Sequence, residues 1–136
     1  MQKISLTIAF SALFAAPAFA LPPIPSYVAQ AVADKPEYEK FAAVFAGLKS
    51  KCDLCHTPGA DKKAKGHGLN DYGHAVHEHL NDGEFKTLHK TAKENPADAK
   101  KALQLIVDSL EKAAADKNAD GKTFGELIKA GQLPGK

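Results

Sequence analysis

The sequence predicts an all-α domain of four or five helices. Three observations carry that reading: apolar residues recur at three- and four-residue steps in several separate stretches, Asp or Asn one or two residues before Pro opens two of them, and no stretch alternates with the period of two that a strand needs. The elements divide into residues 1–20, a signal peptide; 21–35, a proline-containing N-terminal segment; and 36–136, the helical domain.

Lys3 gives a short basic start, Ile4 to Phe14 is almost wholly apolar, and Ala18-Phe19-Ala20 ends the run with small residues where a signal peptidase cuts. The run is too short for the roughly 20 apolar residues of a membrane span and is broken by Pro17, so no stable span is expected after cleavage. Asp34 and Pro36 then predict a helix start near residue 36. Tyr38, Phe41, Phe45 and Leu48 form its apolar stripe. Thr57 to Gly68 is polar and broken by Pro58 and three glycines, a loop.

Helical spacing resumes with Leu69, Tyr72, Val76 and Leu80, and Asn81-Asp82-Gly83 predicts its stop. Glu84 to Lys93 predicts a short helix with Phe85 and Leu88 inward. Asn95-Pro96 starts the longest helix, with Leu103, Ile106, Val107 and Leu110 on its apolar face, running to about Ala115. Asp116 to Gly121 is a polar turn, and Thr123 to Ala130 is the last helix, closed by Gly131 and Pro134.

Charge narrows the partner classes. Basic residues outnumber acidic ones by only 18 to 16, and loss of Lys3 with the signal would shrink that margin, so the basic excess that nucleic acid demands is missing. The acids are dispersed and the histidines have no identifiable companion, which points to a binding or carrier protein rather than an enzyme.

The chemistry concentrates in Cys52-Asp53-Leu54-Cys55-His56. Cys-x-x-Cys-His is the arrangement of covalent c-type haem attachment. Two thiols can add across the two haem vinyl groups, a two-residue spacer puts both sulfurs on one side of a turn, and the next residue can place an imidazole under the iron. A disulfide between Cys52 and Cys55 would close too short a loop to stabilise much. A thioredoxin-like redox pair needs a βαβ context. Zinc would need Cys52, Cys55 and two later histidines at spacings that fit no common finger.

With the apolar helix from Pro36 to Leu48, the motif directly after it and a long helix near the C-terminus, the chain resembles a small monohaem cytochrome c. Leu69-Asn70-Asp71-Tyr72-Gly73 is also similar to an Asn-x-Tyr-Gly stretch that follows the haem motif in some bacterial cytochrome-like proteins. The resemblance implies a cytochrome c-like helical shell around one covalent haem c, one-electron transfer, and a periplasmic or otherwise exported location.

One departure from that family is plain: the sole Met is Met1, so methionine cannot be the second axial ligand once the signal is removed. Helical geometry ranks His79, beside the apolar stripe, as first candidate and His77, farther round, as second, with His74 nearly opposite. An open sixth position is the alternative, and it would suit binding or sensing of a small ligand. Lys62, Lys63 and Lys65 form a positive cluster where an acidic redox partner could dock. Asp116 to Gly121 matches the start of an EF-hand calcium loop, but position twelve is Leu127 and the nearest acid, Glu126, is one residue early, which favours an ordinary turn.

Overall fold

The protein is seen in a computed structural model that describes residues 24–33 and 35–135. The signal-peptide reading of residues 1–20 and the capping role of Asp34 lie outside the described residues. Among the described residues the chain forms six α-helices: α1 (Ile24–Ala33), α2 (Glu39–Gly47), α3 (Asp71–His79), α4 (Asp82–Thr91), α5 (Pro96–Ala115) and α6 (Phe124–Lys129). Short 3-10 turns at Pro36–Tyr38 and Lys51–Leu54 flank α2. In place of strands there are isolated bridges, His56 with Leu69 and Lys117 with Thr123.

The all-α class therefore stands, and the expected four or five helices become six. The additional helix is α1, within the segment read only as proline-containing. Pro25 sits in its first turn, where a missing N–H costs nothing, and Tyr27, Val28 and Val32 bury one face. The stop predicted at Asn81-Asp82-Gly83 falls where α3 ends, with Leu80 as its C-cap, but no glycine cap makes it. Asn81 instead starts α4: its Oδ1 accepts from Glu84 N (3.2 Å) and its Nδ2 reaches the Glu84 carboxylate (3.2 Å).

Asn is the recurrent helix starter here. Asn70 caps α3 and Asn95 caps α5, each accepting a backbone N–H from the first turn, and Pro96 opens α5 with its preset φ. Thr123 and Glu126 form a reciprocal capping box on α6. The hydroxyl and amide of Thr123 hold the Glu126 carboxyl below its ordinary value.

Helix α5 is the centre of the packing and touches α1, α3, α4 and α6. Its fully buried residues are Ala102, Ile106, Ser109 and Ala113, while Leu103 and Leu110 pack at the edges. Small residues let neighbouring helices come close. Phe41, Phe45, Tyr72 and Phe124 supply the bulk of the core on the motif's side, with Tyr72 edge-on to Phe124 at 5.3 Å between ring centres. No described helix is long and apolar enough to cross a membrane.

Candidate functional site

Cys52, Cys55 and His56 leave α2 on a tight turn. Cys55 N and His56 N both donate to the Cys52 carbonyl, at 3.1 and 3.0 Å. This puts the two cysteines three residues apart on a turn of about three residues, so their side chains share a side. Leu54, between them, points into the core and is buried. Its burial anchors the turn and leaves Cys52, Cys55 and His56 half-exposed.

Both cysteines are free thiols. Burial, with a smaller contribution from neighbouring Cys52, pushes the Cys55 thiol up to about 12. Cys55 is thus held protonated at neutral pH, which makes it a poor unassisted nucleophile.

His56 is oriented from behind. Its Nδ1 lies 2.8 Å from the His67 carbonyl oxygen. A carbonyl only accepts, so Nδ1 is the protonated nitrogen of this contact, which leaves Nε2 as the nitrogen available to a metal. The His67 carbonyl reaches this position through three successive residues at positive φ: Gly66 (85°), His67 (55°) and Gly68 (61°). His67 is the one non-glycine at positive φ among the described residues, and backbone held in this region marks places where geometry is being enforced. Gly68 has a second constraint, since a Cβ there would lie 2.7 Å from that of Ala60. Thr57 N donates to the Gly68 carbonyl (2.8 Å) and Asn70 N to the Cys55 carbonyl (2.9 Å), closing the loop onto the motif.

Among the described residues, no three His, Cys, Asp or Glu side chains converge where a bare metal ion could sit. A structural zinc asks for four such ligands. No family model, curated protein or solved structure matches the chain. The functional reading therefore rests on these residues alone.

The ranked distal candidates are elsewhere on α3. His79 Nε2 is 2.9 Å from Asp116 Oδ2, and His77 Nε2 is 3.8 Å from Asp82 Oδ2. At 1.5 Å per residue, these positions lie about 14 and 10 Å along the axis from Asn70, the residue that touches Cys55. His89 packs between Tyr27 and Phe85, with Nδ1 buried and unpaired. Sequence reasoning had no route to the His79–Asp116 pair, which joins residues 37 apart.

The loop that begins like an EF-hand spends its oxygens locally. Asn118 Oδ1 accepts from the amides of Asp120 and Lys122 (3.1 and 3.0 Å), Asp116 faces His79, and Glu126 caps α6. Lys62, Lys63 and Lys65 are exposed on the loop between the motif and α3.

The cavity beside Leu54 and Tyr72 measures about 20 Å³, room for one water. Tyr72 lines it, and burial raises the Tyr72 phenol above its ordinary value.

Proposed function

We propose that the chain is an exported c-type cytochrome: Cys52 and Cys55 hold one haem through thioethers, His56 is the proximal ligand, and the protein carries single electrons. The observation that carries this reading is the 2.8 Å contact from His56 Nδ1 to the His67 carbonyl. Histidines that ligate metals almost always donate their other N–H to such an acceptor, which fixes the tautomer and aims the bare nitrogen. The donor set fits as well. Haem iron brings four ring nitrogens and needs only one or two protein ligands, whereas the described residues provide no ready cage for a bare ion.

When bound, the haem would supply an iron that gains and loses one electron. Leu54 anchors the turn, the His67 carbonyl orients His56, and the half-exposed motif would leave a bound haem open to electron exchange with a partner. Lys62, Lys63 and Lys65, a few residues from His56, offer positive charge to an acidic redox partner; such an encounter weakens with salt.

A second reading is favoured by one specific observation. His79, ranked first for the sixth position, is held instead by Asp116 at 2.9 Å, and His77 is exposed, 3.8 Å from Asp82, which suits an open position that takes a small ligand such as carbon monoxide. Visible spectra of protein matured in a haem-competent host test both readings. A covalent haem signal with a six-coordinate, low-spin form that ignores carbon monoxide supports the carrier. A high-spin form that shifts on adding carbon monoxide supports the open site. A purified chain without covalent haem overturns both.

A further inference from the structure

Asn70 uses all its polar groups to tie the motif to α3. Its N–H donates to the Cys55 carbonyl (2.9 Å), and its side-chain Nδ2 donates to the Leu54 carbonyl (3.0 Å). Its Oδ1 accepts from Gly73 N (2.8 Å) and its own carbonyl from His74 N (2.9 Å). Two glycines make the arrangement possible. A Cβ on Gly73 would overlap the Cys55 carbonyl, whose carbon lies at 2.8 Å from that point with its oxygen nearer still. A Cβ on Gly135 would overlap the Asn70 side-chain amide. Asn70 is thus enclosed between the motif, the first turn of α3 and the tail after α6.

We propose that Asn70 is the positioning residue of the Cys52-x-x-Cys55-His56 motif. It grips two successive carbonyls, those of Leu54 and Cys55. Each peptide unit is planar, so fixing both sets the planes on either side of Cys55, hence the direction in which its Cβ leaves the backbone and the point from which His56 follows. The biological purpose of this grip rests on the haem reading above; its geometry does not. A plain helix cap would need only the Oδ1 acceptor, and the Nδ2 bond to Leu54 is the part that capping leaves unexplained.

Asn70→Ser separates the two roles, because Ser caps a helix about as well as Asn but has no donor that spans to Leu54. Asn70→Asp, which also keeps the cap and lacks the donor, serves if the Ser variant folds poorly. Asn95→Ser is the matched control, altering the cap of α5 with no link to the motif. The reduced, haem-free full chain is treated with iodoacetamide, and alkylation of Cys52 and Cys55 is followed separately by mass spectrometry. Loss of one net hydrogen bond shifts a local opening equilibrium about fivefold, so Cys55 in Asn70→Ser should react about fivefold faster while Asn95→Ser leaves its rate unchanged. In the haem-loaded protein the same variant should shift the midpoint potential, which a mere cap change would not move.

An unchanged Cys55 rate in both Asn70 variants overturns the proposal, as does equal acceleration by Asn95→Ser, which would mean general loosening. If the wild type carries no haem yet Asn70→Ser still exposes Cys55, the positioning role stands and the haem reading falls.

Discussion

Gly73→Ala should destabilise this protein although alanine is the better helix former. Gly73 is the third residue of α3, is buried, and has the Cys55 carbonyl against its Cα. A methyl group there would fall within 3.0 Å of the Cys55 carbon and touch Leu69 Cδ2 at 3.0 Å. The Cys55 neighbour is constrained, since it is backbone and its carbonyl is bonded to Asn70. Overpacking of this kind costs about 1–3 kcal/mol, and displacing the carbonyl sacrifices a hydrogen bond worth about 1 kcal/mol. Helix propensity returns at most about 1 kcal/mol. The net loss is about 2 kcal/mol, a fall of about 10 °C in the melting temperature of a domain of this size. Gly83→Ala is the matched comparison. It lies in the first turn of α4, its nearest neighbour would be Asn81 Oδ1 at an unstrained 3.8 Å, and it should raise the melting temperature by a few degrees. Circular dichroism melts of both variants decide the matter. A Gly73→Ala protein that melts at or above the wild-type temperature would refute the close approach of α3 to the motif, and with it the enclosure of Asn70.

Three further outcomes are expected. The Glu126 carboxyl sits below its ordinary value of 4.5 because of its bonds from the Thr123 amide and hydroxyl; its contribution is therefore complete above 4.5 and is lost as pH falls through the lower folded value, and urea titrations at pH 3 and 6 should show a smaller acid loss for Glu126→Gln. The Cys55 thiol, raised by desolvation from 9.0 to about 12, contributes stability that is complete below 9.0 and is lost as pH climbs towards 12. Haem-free Cys55→Ala should lack the decline that starts near 9.0 and keep the one beginning near the ordinary tyrosine value of 10.0, where burial of Tyr72 acts in the same sense. His79→Ala should cost no more than about 1 kcal/mol, as removal of a half-exposed polar contact does, and should leave the visible spectrum of the haem-loaded protein unchanged; loss of a low-spin signature would instead restore His79 as axial ligand.

What the sequence made legible were features carried by neighbours in the chain. Cys52, Cys55 and His56 form a contiguous motif, and their turn needs only local bonds. The starts of α5 and α6 were equally plain, because Asn95-Pro96 and Thr123 with Glu126 act within four residues. Helix α1 was missed for a local reason: the prolines before Tyr27 read as a stiff extension, although Pro25 is tolerated in a first turn and Tyr27, Val28, Ala31 and Val32 already had helical spacing. Asn81 was misread because Asn and Gly serve both ends of helices, and Glu84, three residues on, was the signal that it starts one. The buried face of α5 turned towards Ala102, Ser109 and Ala113, since close helix packing rewards small residues that hydrophobicity undervalues. Long-range choices were beyond reach: nothing near His79 announces Asp116, and nothing near Leu54 announces Asn70.

The contact between Gly135 and Asn70 also orders events in time. It joins positions 65 apart in sequence, while the motif's own turn closes within four residues. Distant contacts form late, because loop closure must be met before they are rewarded. A chain emerging from its N-terminal side therefore displays Cys52, Cys55 and His56 long before the residue that seats Asn70 has arrived.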